Sequence, residues 1–238
     1  MPAPRRHTLS IAVTFLALCL AAPARAQLGF SASVDSDYVF RGLSLSGGKP
    51  DLSLNVSYDH PSGLYAGASA IGAEGVGGGA RMFGYLEYVG FTRRINAHLS
   101  WDVGATNSDY LETPYKQYNS DYTELYAGLI IDDVSAHIYY SPSYIGAGLS
   151  TLYVDLNGAY RPARHWRLFG HAGLLTPVGG PVGLGDHHER YDLRAGVAAD
   201  FGGAEIRLAW TTTGPGVDYA TGFGQGRDAV VVGASYFF

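Results

Sequence analysis

Apolar and polar residues alternate one by one along most of the chain after residue 26. In one such segment Leu52, Leu54 and Val56 alternate with Ser53 and Asn55. Because successive side chains of a β-strand point to opposite faces, a period of two predicts strands with one apolar and one polar face. No segment there follows the helical period of 3.6 residues convincingly. The chain is therefore predicted to be all-β.

Twelve strands follow from this alternation and from the Gly, Pro, Asn and Asp residues that interrupt it. The predicted strands span about 28–40, 50–59, 64–72, 80–91, 97–110, 121–132, 135–141, 149–160, 165–175, 189–200, 204–213 and 228–238. A typical strand is about 10 residues long, which is enough to cross a bilayer when the strand is tilted. No segment after residue 26 is apolar enough for a membrane-spanning helix.

Short and long connections follow each other in strict order along the chain. The short ones lie at 60–63, 92–96, 132–134, 161–164 and 201–203, and the long ones at about 41–49, 73–79, 111–120, 142–148, 176–188 and 214–227. Outer-membrane barrels have short periplasmic turns and longer external loops, whereas a soluble β-sandwich has no reason to sort loops by length. All eight prolines after residue 26 lie in or beside connections. The prediction is therefore a 12-stranded antiparallel up-and-down transmembrane β-barrel.

Aromatic residues gather near the predicted strand ends, where amphipathic rings form girdles at both membrane interfaces. Those near the short turns are Tyr58, Tyr65, Phe91, Trp101, Tyr160 and Trp166. Those near the long loops are Tyr38, Phe40, Tyr110, Tyr122, Tyr139 and Trp210.

The first 26 residues are predicted to be a cleaved signal peptide, which leaves 27–238 as the barrel. A basic start precedes an apolar run at 11–22 that is too short to span a bilayer, and Ala24-Arg25-Ala26 fits an A-x-A cleavage site. An uncleaved anchor and a lipoprotein signal at Cys19 are the alternatives; the large Leu18 speaks against the second. Cleavage removes the only cysteine, and with it any disulfide or thiolate metal site.

The net charge of the chain limits the classes of partner that it can bind. Three of the 16 basic residues and none of the 21 acidic ones lie in the first 26 residues, so the remaining chain carries 13 − 21 = −8. Nucleic-acid binding requires a basic face, so no nucleic-acid partner is expected. No cofactor is expected either. Outer-membrane lipid and small solutes or ions are the expected partners, in the outer membrane of a Gram-negative bacterium.

The C-terminus ends on an aromatic residue at the close of the last predicted strand. Val230, Val232, Ala234, Tyr236 and Phe238 share one face of that strand. The segment looks like the C-terminal signal by which the barrel-assembly machinery recognises its substrates. Within it, the signal is assigned to Gly233, Tyr236 and Phe238.

The segment from Ser36 to Ser44, with the sequence S-D-Y-V-F-R-G-L-S, carries a family resemblance. Together with Lys49-Pro50 and the last predicted strand, it resembles the TorF-like porin family, also known by the label Gcw_chp. The resemblance extends over the length of the chain after residue 26. It implies an outer-membrane barrel of porin type, with no agreed substrate and no catalytic residues.

Charged residues on the polar strand faces are predicted to point into the lumen. The candidate pore-lining residues are Asp35, Asp37, Arg41, Asn55, Asp59, Asp102, Glu124, Asp155, Arg167, His171, Asp192, Arg194, Glu205 and Arg207. Rings of charge select ions in pores. The same residues are equally compatible with an internal salt-bridge network that plugs a narrow barrel. Eight carboxylates against four arginines mildly favour cations.

Asp37 and Arg41 are placed on one face of the first predicted strand, about 13 Å apart at the strand rise. They are therefore not expected to pair with each other. We expect Arg41 to find a carboxylate on an adjacent strand near the outer mouth.

Further segments resemble a metal site, a phosphate-binding loop or a hydrolase motif, and each has a simpler interpretation. His187-His188-Glu189 is read as a solvated loop rather than a metal site. The Gly-rich segments 75–79 and 222–226 lack the strand–turn–helix setting of a phosphate cradle. No G-x-S-x-G elbow occurs, since Gly42-Leu43-Ser44-Leu45-Ser46 differs at its last position. A hydrolase would need a Ser beside a His that Asp or Asn orients.

The expected function is passive diffusion of small hydrophilic solutes or ions through the barrel, with a weak cation preference and no enzymatic activity. The main alternative is a closed structural or adhesive barrel that acts through its external loops. An outer-membrane hydrolase is a further alternative. The sequence leaves the solute and the oligomeric state open.

Overall fold

The computed structural model describes residues 27–74, 78–111, 121–144, 148–180, 189–214 and 228–238. The predicted signal peptide (1–26), the histidine pair at 187–188 and the Gly-rich segment 222–226 lie outside these ranges, as do residues 75–77. Within the described ranges, no helix is long and apolar enough to cross a membrane.

Twelve strands close into one antiparallel barrel, and the predicted fold is confirmed. In chain order the elements are β1 (Gln27–Asp35), β2 (Val39–Phe40), β3 (Leu43–Ser44), β4 (Asp51–Asp59), β5 (Leu64–Glu74), β6 (Ala80–Arg94), β7 (Leu99–Tyr110), β8 (Tyr122–Ile131), β9 (Val134–Tyr144), β10 (Leu149–Ala163), β11 (Trp166–Gly179), β12 (Arg190–Asp200), β13 (Ala204–Thr213) and β14 (Ala229–Phe237). Each wall strand pairs with the next one along the chain, and β1 pairs with both β4 and β14 to close the barrel. The start of β1 and the end of β14 lie at the end of the barrel that carries the short turns.

The first strand is shorter than predicted. It ends at Asp35 instead of residue 40. β2 and β3 form a separate two-stranded hairpin that is not part of the barrel wall. Phe40 pairs with Leu43, so that Arg41 and Gly42 make a two-residue turn with φ values of 47° and 76°. A tight hairpin turn of this kind needs positive φ at both central residues. The hairpin is named the inner hairpin (residues 39–44) below.

Several other strands run longer than predicted, and the strict order of short and long connections is wrong at one place. The connection at 145–148 is no longer than the turn at 60–63, because β9 and β10 extend to meet it. Pro142, Pro162 and Pro177 therefore lie inside strands. Each sits where the strand register shifts, and such irregularities accommodate a residue that has no N–H for the ladder.

Apolar side chains cover the outer face of the barrel, as the alternation predicted. The exposed residues include Leu28, Phe30, Val34, Leu52, Leu54, Leu125, Leu129, Leu156, Leu168, Ile206, Leu208, Val230 and Val232. A closed barrel has no unpaired strand edge, so it satisfies its backbone within lipid. An apolar band around such a barrel is typical of outer-membrane proteins.

The predicted girdles are wrong for half of their members. Tyr160, Trp166 and Trp210 are exposed on the outer face. Tyr65, by contrast, points inward and donates to Asp102. The other inward rings belong to a buried cluster inside the outer end of the barrel, which contains Tyr38, Phe40, Tyr110, Tyr122 and Tyr139. Position near a strand end does not decide the face, since a shift of one residue reverses it.

Candidate functional site in the barrel lumen

The inner hairpin extends across the lumen from one wall to another. At its tip, a Cβ on Gly42 would lie 2.7 Å from Cβ of Thr213 and 2.8 Å from Cβ of Asp192. Only glycine fits this close approach to β12 and β13 with a positive φ. The neighbouring Arg41 reaches to β8, where it meets Glu124.

Arg41 and Glu124 form a buried, bidentate ion pair. Nη1 and Nη2 of Arg41 donate to the two carboxylate oxygens of Glu124 at 3.0 and 2.7 Å. The two side chains are 7% and 4% exposed. The guanidinium also lies over the ring of Tyr153, 3.8 Å from its centroid. Cation–π contacts of this kind are stronger when they are desolvated.

The prediction for Arg41 is confirmed in its chemistry and wrong in its location. Arg41 does bind a carboxylate, but Glu124 lies on β8, and β8 is not a neighbour of the segment that carries Arg41. The reason is the inner hairpin, which removes Arg41 from the wall and carries it across the lumen. Asp37 is not a free pore-lining group either. Its Oδ1 accepts hydrogen bonds from Ser44 Oγ, Ser46 Oγ and the Gly48 N–H at 2.6, 2.8 and 3.2 Å, so it holds the base of the hairpin.

Below the inner hairpin lies a cavity of about 790 Å³ whose lining contains charged, aromatic and aliphatic side chains. Its lining extends from Arg41 to Asp132 and Asp133 in a turn at the periplasmic end. A second cavity of about 360 Å³ lies beside the base of the hairpin, and Arg167 and Arg194 line both cavities. The predicted residues that line one cavity or the other are Asp35, Asp37, Arg41, Asp102, Glu124, Asp155, Arg167, His171, Asp192, Arg194, Glu205 and Arg207.

The two remaining candidates lie elsewhere. Asn55 is part of the wall between β1 and β5, where it donates to Ser31 and accepts from Ser69. Asp59 lies exposed at the periplasmic end of β4. Neither residue lines the two cavities.

Most of the lumen carboxylates are paired across neighbouring or nearby strands. Arg207 donates twice to Asp35, at 3.1 and 2.6 Å. Arg167 pairs with Glu205. His171 Nε2 lies 2.8 Å from Asp192 Oδ1, and His137 Nε2 lies 3.3 Å from Asp102 Oδ2. The predicted internal network therefore exists, and it coexists with the cavity.

The contact of His137 with Asp102 and a further contact of Tyr153 depend on glycines in the wall. Asp102, Gly128, His137 and Asp155 stand opposite one another on β7, β8, β9 and β10. The His137 ring lies over Gly128, where a Cβ would overlap its Cδ2 atom, and in this way it reaches Asp102 two strands away. The same arrangement recurs on the next strands, where Tyr153 leans over a glycine of β11 to reach the carboxylate of Asp192.

Alanine at Gly128 is expected to lower the free energy of unfolding by about 1–3 kcal/mol, the usual effect of overpacking. The new methyl group would displace the His137 ring and break its contact with Asp102. Urea titration followed by tryptophan fluorescence measures this effect. Alanine at Gly158 is the matched control, since its Cβ would meet only Val134 Cγ2, at 3.9 Å. Equal stability of the two variants would contradict the role given to Gly128.

Aromatic and histidine side chains in the lumen were missed as candidates. Tyr65, His137, Tyr153 and Phe169 contact the charged residues of the lumen or line its cavities, and Tyr126 hydrogen-bonds Tyr65. The period of two carries the signal that could have found some of them. On β9, His137 and Tyr139 occupy alternate positions that face away from the exposed Ile138.

The geometry that a serine hydrolase requires is not assembled in the described part of the chain. There, the Ser–His hydrogen bond joins Ser62 to His60 at 2.7 Å in an exposed turn at the periplasmic end. No Asp or Asn orients that imidazole among the described residues. Across the same residues, no three His, Cys, Asp or Glu side chains are grouped to hold a metal ion.

Comparisons with known proteins agree with this architecture. Residues 21–235 match the model of a family described as "Bacterial protein of unknown function (Gcw_chp)". Among solved structures, the chain is similar to the NanC porin, with a TM-score of 0.58 and 10% identity over 88% of this chain and 99% of that chain. It is also similar to the KdgM porin, with a TM-score of 0.53 and 11% identity over 89% and 99% of the two chains. No curated protein sequence matches it.

Proposed function

The chain belongs to the Gcw_chp family of bacterial proteins, and from its fold and lumen we propose that it is an outer-membrane channel of porin type. The solutes are small hydrophilic molecules or ions that diffuse passively. The observation that carries this proposal is the cavity of about 790 Å³ with charged side chains in its lining, which lies inside a closed barrel and reaches the periplasmic turns. The apolar outer face supports an outer-membrane location.

The inner hairpin sets the width of the proposed pathway. It crosses the lumen above the cavity, and the second cavity of about 360 Å³ lies beside its base. Tyr38 and Val39 at the base of the hairpin and Arg207 of the wall line that narrower space. Solutes that pass the hairpin must therefore be small or must displace it.

A weak cation preference remains a prediction. It rests on the surplus of lumen carboxylates, and the pairing of Asp35, Glu124 and Glu205 with arginines reduces the number that act on a passing ion. The signal peptide, recognition by the barrel-assembly machinery and the lack of enzymatic activity also remain predictions. So does the more specific likeness to TorF-like porins.

A closed barrel is the second candidate function. The specific observation in its favour is the inner hairpin itself, which packs Phe40 and Leu43 against a buried aromatic cluster at the outer end of the lumen. In that case the barrel would act through its external loops as a structural or adhesive protein.

Planar-bilayer recording separates the two candidates. Purified, folded protein is expected to give discrete conductance steps in potassium chloride, because the lumen is polar and charged. The unit conductance should be small, since the hairpin narrows the pathway. A difference in electrophoretic mobility between boiled and unboiled samples verifies that the protein is folded. Silent bilayers with folded wild-type protein, and with a variant in which the hairpin is released, would favour the closed barrel.

A further inference from the structure

Arg194 differs from the other arginines that line the lumen. Arg41, Arg167 and Arg207 each bind a carboxylate. For Arg194, no carboxylate oxygen of the described residues lies within 4.0 Å, although the guanidinium is partly buried. Its neighbour is the ring of Phe169, 5.6 Å from the guanidinium carbon to the centroid. A partly buried charge that contacts no carboxylate is unfavourable and would gain from an anion.

Asp155 is the complementary case among the carboxylates. The residue is 8% exposed, and its Oδ1 has no hydrogen-bond partner among the described residues. The nearest group that can carry positive charge is His137, whose Nδ1 lies 3.6 Å away. That distance exceeds a hydrogen bond, and the other ring nitrogen of His137 already contacts Asp102. The carboxylate would therefore gain from a cationic donor.

These two groups face the same space. Both Asp155 and Arg194 line the cavity of about 790 Å³. Asp155 stands opposite Gly173 on β11, and Arg194 stands opposite His171 on the same strand. Two strand spacings and a two-residue offset place their Cα atoms about 12 Å apart. Both side chains border the cavity, so a ligand that contacts both must carry its two charges several bonds apart.

We propose that this pair binds a small zwitterionic solute, with its ammonium group at Asp155 and its carboxylate at Arg194. The proposal rests on the proposed channel function and names the class of solute for which the lumen is adapted. An ammonium group only donates hydrogen bonds, which suits the Asp155 carboxylate where it borders the cavity. A carboxylate matches the planar fork of a guanidinium. Phe169 lies beside both Arg167 and Arg194 and limits the positions that Arg194 can take.

The test measures equilibrium binding of 6-aminohexanoate to the folded protein in detergent by isothermal titration calorimetry. This probe carries its two charges several methylene groups apart, as the spacing requires. Binding to wild type is expected to be at least about tenfold tighter than binding of acetate or ethylammonium, because each of these satisfies one charge only. Arg194→Gln and Asp155→Asn should each weaken binding of the zwitterion about tenfold.

Arg161→Gln and Asp121→Asn are the matched controls, since both residues are exposed outside the cavity. The double variant Arg194→Gln/Asp155→Asn should bind more weakly than either single variant, because it also removes the one charged contact that each single variant keeps. Acetate that binds as tightly as the zwitterion would overturn the proposal in favour of an anion site at Arg194 alone. Unchanged binding in both single variants would also overturn it.

The same samples are examined in planar bilayers, which separates this proposal from the channel function. Conductance without selective binding of 6-aminohexanoate overturns the site and leaves the channel standing. Binding that depends on Arg194 and Asp155, in a protein that never conducts, supports the site and overturns the channel.

Discussion

Asparagine in place of Arg41 is expected to lower the free energy of unfolding by about 3–5 kcal/mol and to raise the unit conductance severalfold. The substitution leaves Glu124 buried without its counter-charge, and breaking a buried ion pair in this way costs about that much. It also removes the contact that ties the tip of the inner hairpin to β8. A hairpin that is no longer held there can leave the lumen and widen the pathway.

Asparagine removes the guanidinium of residue 41 but keeps the backbone geometry of the turn. Arg41 has a φ of 47° and precedes Gly42, and Asn-Gly is a strongly favoured pair for this turn. The decrease in the free energy of unfolding is therefore caused by loss of the ion pair and not by strain in the backbone. Glu124→Gln should have a similar effect on conductance, because it breaks the same pair from the other side. Urea titration and single-channel recording measure the two effects.

Arg161→Asn is the matched control, since Arg161 forms an exposed pair with Asp133 and should contribute little. Wild-type stability together with wild-type conductance in Arg41→Asn would contradict the role of the hairpin. Lower stability with unchanged conductance would show instead that the ion pair supports the fold without limiting the pathway.

Serine in place of Phe238 is expected to lower the amount of barrel in the outer membrane severalfold, with periplasmic degradation of the remainder. Phe238 is 80% exposed and packs edge-on against Tyr236, with ring centroids 5.0 Å apart. Both rings lie on the outward face at the end of β14, where assembly factors can contact them. Because Phe238 contacts little of the barrel, a loss would arise from assembly and not from stability.

Outer-membrane fractionation followed by heat-modified gel mobility measures this effect. Phe201→Ser is the matched control, since Phe201 is also exposed but lies in a periplasmic turn rather than in the last strand. Equal accumulation of Phe238→Ser and wild type would contradict the assembly role. Gly233, which was assigned to the same signal, lies on the lumen side beneath the Asp35–Arg207 pair. Its placement indicates a packing role instead of an outward one.

The alternation of apolar and polar residues along the chain determined the strands that form the barrel wall. The alternation in segments such as Leu52–Val56 depends only on residues two apart, so the number of strands, their apolar outer faces and the inward charges were readable from the chain. Twelve of the fourteen candidate residues line the two cavities. Even the chemistry of Arg41, which required a carboxylate, followed from the cost of an unpaired charge in a closed lumen.

The tertiary structure alone decided what the lumen contains. The segment 36–50 could continue a strand or fold inward, and the inward choice depends on Gly42 fitting against Thr213 and on Glu124 lying across the barrel. These contacts join residues more than 80 positions apart, so no local period records them. The register that places Asp155 and Arg194 around one cavity is set in the same way, by strand pairing and closure of the barrel. The sequence by itself determined a barrel with a charged interior, and the structure determined which of those charges neutralise one another and which remain free to meet a solute.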